Sequence, residues 1–238
     1  MNSSIGKEYY WDIANSTQMG RYLTTIEEDF ISTYLKGDGQ VKSILDVGGG
    51  SGRIAIPLNN KGYKIFVVEA DPLPLLKLKS KKTELPAIYV GKSSKFFPFK
   101  SGTFDCILCL QVIDLAEESD WFFNECRRIL KEQGTFIFSI LNGNSYKGFL
   151  RKWQLTREVV KGKYWKKKEY QKTLSEIQCN IKGAGFSLMK AKGYNWIPFT
   201  RSSNQWTIPL FALLERIMGL HLLTSLSPWV ILVAKKKG

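Results

Sequence analysis

The chain has 238 residues, 44% hydrophobic and 24% charged, enough for one sizeable core and too apolar for a disordered segment. Lys and Arg number 35 against 21 Asp and Glu, and the net charge of +14 points to an anionic partner without choosing among nucleic acid, phosphorylated metabolite, acidic glycan and membrane surface. Four irregularly spaced cysteines exclude a disulfide framework, and the opening MNSSIGKEYYWDIAN lacks the apolar stretch of a secretory signal, so a reducing, cytoplasmic setting is expected.

Taken in chain order, residues 1–40 read as an N-terminal lid carrying Tyr9-Tyr10-Trp11 and the segment Gln18 to Leu35. The core, 41–142, opens with the apolar run Ser43 to Val47, which breaks into Gly48-Gly49-Gly50-Ser51-Gly52 and then a helical pattern. That order is strand, tight turn, helix. A second β-branched run, Lys64 to Val68, ends at Glu69-Ala70-Asp71-Pro72, where Asp71 is placed to cap a helix over Leu73 to Lys82. Ala87 to Val90 and Phe104 to Leu110 predict the third and fourth strands, and Asp120 to Leu130 a helix. Gly134 then turns the chain into a fifth strand, Thr135 to Leu141. Strands alternating with helices imply a parallel sheet covered on both faces, with ligands at the carboxyl ends of the strands.

The remainder departs from that rhythm. Between Lys147 and Lys192 stand thirteen basic and three acidic residues, with Trp153, Tyr164, Trp165 and Tyr170 among them. A helix is expected over Glu169 to Lys182, and the last two strands over Phe186 to Tyr194 and Trp229 to Lys235. The segments 143–168 and 195–228 read as insertions, the second with an apolar helical patch from Ile208 to Leu220. Ile217 to Ala234 holds no charged residue, yet His221, Thr224, Ser225, Ser227 and Pro228 interrupt it, so a peripheral membrane contact is a better reading than a span. Nothing marks a domain boundary, and one domain is expected over 1–238.

The chemistry lies in the turn after the first strand. Asp46 stands two residues before Gly48, and Glu69 follows Asp46 by 23 residues, at the end of the second strand. An acid there can accept both hydroxyls of a ribose, while glycines let the backbone approach a ligand where a Cβ would collide. Cys106 and Cys109 have ligand-pair spacing, but residues three apart on a strand face opposite sides, so they read as buried thiols and no metal is expected.

With these residues in register, the sequence resembles the class I S-adenosylmethionine-dependent methyltransferases, of the small methyltransferase type 11-like kind. The likeness covers Ser43 to Leu141 in detail: Asp46 with Gly48, Gly50 and Gly52; Glu69; Phe97-Pro98-Phe99 with Phe104-Asp105; and Arg128-Ile129-Leu130-Lys131-Glu132-Gln133-Gly134. It implies a Rossmann-like, doubly wound α/β fold with a mostly parallel seven-stranded sheet, the last strand antiparallel, and helical lid and insertions. It also implies S-adenosylmethionine as cofactor, with S-adenosylhomocysteine as product, held by Asp46, Gly48, Gly49, Gly50, Gly52, Glu69, Ala70, Leu110 and Gln111. Arg21 and Tyr22 are expected near its methionine end. The family's acid beside the adenine is replaced here by Ser93 or Ser94, and its histidine after the fourth strand by Gln111-Val112-Ile113-Asp114.

Asp114 is therefore the first candidate base and His221, the sole histidine, the second. Tyr10, Trp11, Trp153, Tyr194, Trp196 and Arg201 are the expected acceptor walls. Their mix of aromatic faces and polar groups suits a small-molecule, glycan or lipid-linked acceptor, with methylation at oxygen. Three rivals stand beside this reading: an RNA or tRNA methyltransferase using the basic aromatic stretch, a membrane-associated lipid or quinone enzyme using Ile208 to Leu223, and a non-catalytic cofactor-binding protein. Nucleic acid is the less expected partner, because the Asn/Asp-Pro-Pro-aromatic motif and the Pro-Cys nucleophile of base methyltransferases are both missing.

Overall fold

The computed structural model describes residues 9–36, 43–81, 83–91, 94–112, 119–160 and 172–238. Seven strands form one sheet: β1 (Ser43–Val47), β2 (Lys64–Glu69), β3 (Ala87–Tyr89), β4 (Phe104–Cys109), β5 (Leu130–Leu141), β6 (Phe186–Tyr194) and β7 (Trp229–Lys236). Their order is β3-β2-β1-β4-β5-β7-β6, and β7 alone runs against the other six. The chain reverses direction across the sheet between β1 and β4, the place where such folds open a crevice for ligands.

Alternation along the strands sends side chains to two cores. One holds Ile44, Ile65, Val67, Cys106 and Leu108 under α2 (Gln18–Leu35), α3 (Ala55–Asn60) and part of α4 (Pro72–Ser80). The other holds Leu45, Val68, Ile107, Cys109, Phe136 and Phe138 under α5 (Ser119–Ile129) and α7 (Leu174–Gly183). Cys106 and Cys109 thus face opposite layers, as the strand period requires. Among the described residues, no group of three or more His, Cys, Asp or Glu could hold a metal ion, and no helix is long and apolar enough to cross a membrane.

Local signals set most boundaries. Asp71 accepts a hydrogen bond from Leu73 N–H at 3.0 Å and Pro72 occupies the first helical position of α4. The helix expected from Glu169 begins instead at Leu174. Thr173 and Glu176 form a reciprocal capping box there, which satisfies the free N–H groups at that point. β5 starts at Leu130 rather than at Thr135, because Leu130 pairs with Phe104, and an irregularity near Gln133 (φ 60°) absorbs the kink expected at Gly134. The supposed lid helix α2 is a packed layer: Met19, Leu23, Phe30, Ile31 and Leu35 all enter the core.

Candidate functional site

The site is built at the carboxyl ends of β1, β2 and β4. Gly48 N–H donates to Val68 O at 2.7 Å, which ties the loop after β1 to β2. Gly48 and Gly50 hold φ of 71° and 59°, in the region that side chains disfavour. A Cβ at Gly48 would lie 2.3 Å from Val112 Cγ2, whereas one at Gly50 would meet only the Tyr9 hydroxyl, at 3.6 Å. The loop therefore packs tightly on one side and is open on the other.

Glu69 borders the open side. Its Oε2 accepts from Gly50 N–H at 2.9 Å, and its Oε1 from Ala70 N–H at 2.7 Å and Asp71 N–H at 3.0 Å. Three donors fix the carboxylate and leave about one of its four acceptor positions unused. Asp46 is fully buried beneath the loop, and burial, with the nearby charge of Glu69, pushes its carboxyl up to about 7 against the opposing pull of Arg53.

A short helix, α1 (Tyr10–Ser16), lies against this loop. Asp12 accepts from the Ser51 hydroxyl and from Lys81 Nζ at 3.1 Å, and Lys81 also donates to Ser51 O at 2.9 Å. Burial, then the charges of Glu69, Asp71 and Asp12, raises the Tyr9 phenol well above its ordinary value. Tyr10 and Trp11 meet edge to face on the exposed surface of α1. α1 is thus tied to the glycine loop through Asp12, a residue that carried no motif in the sequence.

Beside the loop lies a buried polar network centred on Glu27 of α2. Its carboxylate pairs with Arg53, accepts from Gln111 Nε2 and the Tyr194 hydroxyl at 2.8 Å each, and pairs with Arg201 Nη2 at 3.3 Å. Burial alone would raise this carboxyl, but the two guanidiniums and the Tyr194 hydroxyl hold it below its usual range. Gln111, at φ 60°, also anchors its N–H on the Ser139 hydroxyl at 2.9 Å. Arg201 lies over the Trp229 ring at 5.5 Å, and its Nε and Nη1 are buried with no hydrogen-bond partner among the described residues. Glu27 thus answers two guanidiniums, the buried Arg201 and the partly exposed Arg53, and the second also faces the Asp46 carboxyl.

A second cluster adjoins it. Tyr22 donates to Glu215 at 3.1 Å, while Lys147, at the start of α6 (Tyr146–Val160), donates to Asn195 Oδ1 at 2.8 Å and Phe199 O at 3.3 Å. Burial lowers the Lys147 ammonium to about 7, opposed by the charge of Glu215. Tyr146 donates to Trp196 O at 2.8 Å. Neither Glu27 nor Lys147 is visible from sequence spacing, since their partners come from remote segments.

The expected site residues fall out unequally. Asp46, Gly48, Gly49, Gly50, Gly52, Glu69 and Ala70 come together around one loop, and Leu110 and Gln111 stand at the end of the adjacent strand. Arg21 is exposed and donates to Ser16 O, so it braces α1 against α2. Ser94 commits its hydroxyl to Phe96 O at 2.8 Å. Tyr194 is no open wall; it is fully buried because its hydroxyl serves Glu27. Trp196 is half-buried and Trp153 exposed, both on the insertion side. His221 lines a groove with Asp29, Tyr34, Lys190 and Lys192 beside the edge strand β6, four strands from β1 and so about 19 Å away. That distance takes it away from the glycine loop. Ser93, Asp114, Tyr164 and Trp165 lie outside the described residues.

Residues 45–138 match a family model described as a methyltransferase domain. An uncharacterised protein of Methanocaldococcus jannaschii is 29% identical over 174 residues, which is 70% of this chain and 61% of that protein. A ubiquinone biosynthesis O-methyltransferase of Cereibacter sphaeroides is 27% identical over 103 residues, 42% of each chain, so these matches span about half the length of the relatives. The structure of magnesium protoporphyrin IX methyltransferase from Synechocystis, with bound S-adenosylhomocysteine, superposes with a TM-score of 0.62 at 16% identity. That alignment covers 98% of this chain and 90% of the other.

Proposed function

We propose, from the methyltransferase-domain match over residues 45–138 and the shared seven-stranded fold, that the chain is a class I S-adenosylmethionine-dependent methyltransferase that transfers a methyl group to an oxygen of a small acceptor. The observation that carries this reading is the loop of Gly48 to Gly52 held open beside the Glu69 carboxylate. The space at Gly50 and the one acceptor position that Glu69 leaves unused fit a ribose hydroxyl, with Asp46 bracing the loop from below. S-adenosylmethionine, when bound, supplies an electrophilic methyl on a sulfonium. The protein's share is to hold the acceptor oxygen in line and to take its proton.

Two features support a polar or anionic acceptor. Nε and Nη1 of Arg201 are buried donors with no hydrogen-bond partner among the described residues, and Glu27 is shared between two guanidiniums. Lys147 is the candidate proton acceptor among the described residues: an amine near neutrality whose two hydrogen bonds leave the lone pair of its neutral form unused. Asp114 is the competing candidate. The low-identity match to ubiquinone O-methyltransferases favours oxygen as the methylated atom.

Calorimetry with S-adenosylhomocysteine, followed by labelled-methyl transfer into fractionated small-molecule extract, tests the reading. Glu69→Ala should weaken cofactor product binding by about 1.5–3 kcal/mol, tenfold or more, without unfolding the chain. Unchanged affinity in a folded Glu69→Ala protein removes the assignment.

A further inference from the structure

The groove that holds His221 stands apart from the glycine loop. It encloses about 340 Å³ between α2, the edge strand β6 and the 3₁₀ turn Leu220–Leu222, which follows α8 (Ile208–Ile217). Strand alternation explains how two lysines come to line it. Phe186, at the start of β6, enters the core under α5 and α7, whereas Tyr194, eight residues on, enters the core under α2. An unbroken strand would keep residues at that even spacing on one face. The pairing with β7 shifts between Leu188 and Lys190, where Met189 is an extra residue, and this bulge exchanges the faces. Ala191 then packs in the layer of Phe186, while Lys190 and Lys192 take the face of Tyr194, toward α2.

The other walls are equally defined. α2 contributes Asp29 and Tyr34, whose ring tilts against Phe30 at 5.2 Å. The turn is seated closely on the strand at Gly193, where a Cβ would lie 2.4 Å from Ser227 Oγ and 3.4 Å from His221 O. Among the described residues, Lys190, Lys192, His221 and Asp29 form no side-chain hydrogen bond or salt bridge, although the charge of Lys192 reaches Glu215. Lysines that only guard a free edge need no imidazole, carboxylate and phenol around the same hollow. Two ammoniums and an imidazole suit a group with several anionic oxygens. The Asp29 carboxylate accepts only and repels a bare anion, so the rest of the occupant must bring hydroxyls. The volume stands at the small end of ligand sites, which limits the occupant to metabolite size.

We propose that this groove binds a small phosphate monoester bearing hydroxyl groups, with its phosphate on Lys190, Lys192 and His221 and its hydroxyls on Asp29 and Tyr34. It is a second site, about 19 Å from the glycine loop. Two of its walls, α2 and β6, also carry Glu27 and Tyr194, which bond to each other in the interior. An occupant therefore bridges the same two elements from outside and stabilises the folded chain.

Calorimetry on the full chain saturated with S-adenosylhomocysteine, which keeps the glycine loop from answering for the groove, tests it. The probes are glucose 6-phosphate and adenosine 5′-monophosphate, with glucose, adenosine and inorganic phosphate as controls. At least one ester should bind about tenfold or more tightly than inorganic phosphate and than its dephosphorylated parent, and should raise Tm; the tighter ester tells a sugar from a nucleoside. Lys190→Gln combined with Lys192→Gln should weaken that binding at least about tenfold while S-adenosylhomocysteine affinity stays within about twofold of the parent. His221→Asn, on another element, repeats the test if the double variant does not fold. No binding of either ester, or binding that the folded variants retain, overturns the proposal. So does inorganic phosphate binding as tightly as both esters, because the groove would then hold a bare anion only.

Discussion

At Glu27 one carboxylate pairs with two arginines, and removing its charge leaves the buried Arg201 guanidinium without its ion-pair partner. Breaking a buried pair in this way costs about 3–5 kcal/mol. Glu27→Gln, which keeps the shape, should therefore lower unfolding free energy by that order in a denaturant titration; a loss under about 1 kcal/mol would show that Arg53 and Arg201 find water instead. Lys147 makes a different kind of prediction. If its neutral amine takes the acceptor's proton, turnover should rise with pH through about 7 and then level, and Lys147→Met should lose turnover while keeping cofactor affinity. A profile unchanged in Lys147→Met, together with a large loss in Asp114→Asn, would transfer the role to Asp114.

Elements carry the next level of argument. α7 packs Leu174, Ile177 and Ile181 on the core, and its start is set by the Thr173–Glu176 box. Thr173→Ala should cost about 1 kcal/mol, read as a lower denaturation midpoint with an unchanged slope. α2 does more than cover the sheet. Its apolar residues join the core while Tyr22, Thr24 and Glu27 reach Glu215, Arg53 and Arg201, so one helix positions both polar clusters. α8 is tied to that same helix through the Tyr22 to Glu215 hydrogen bond, which explains why the acid of α8 faces inward.

Over the whole molecule, two shifted groups oppose one another in their effect on stability. The Asp46 carboxyl is raised from 3.8 to about 7, so between those values the folded chain binds more protons than the unfolded one and stability falls as pH rises. The Lys147 ammonium is lowered from 10.5 to about 7, so between about 7 and 10.5 the folded chain binds fewer protons and stability rises with pH. The two slopes meet in a minimum near neutrality, each at most about 1.4 kcal/mol per pH unit. Asp46→Asn should flatten the acid side and Lys147→Met the alkaline side, as followed by unfolding midpoint against pH. Glu27, Asp105 and Glu125 act the other way at low pH, where protonation removes the stability of their lowered carboxyls.

Local chemistry was sufficient for the strands from Ser43 to Leu141, the glycine turn, the acid at Glu69 and the cap at Asp71, because each depends on neighbours within a few residues. Periodicity alone also separated Cys106 from Cys109. Other features had no local signature. Glu27 meets Arg53 across 26 positions and Arg201 across 174, Lys147 gains its lowered proton affinity from burial against residues near 195, and Asp12 reaches Ser51 across 39. Periodicity found an apolar helix at Ile208 without telling which of its faces is inward, since Tyr22 decides that by bonding Glu215. A charge is buried or exposed according to partners that folding brings from afar, and only the tertiary structure chose them.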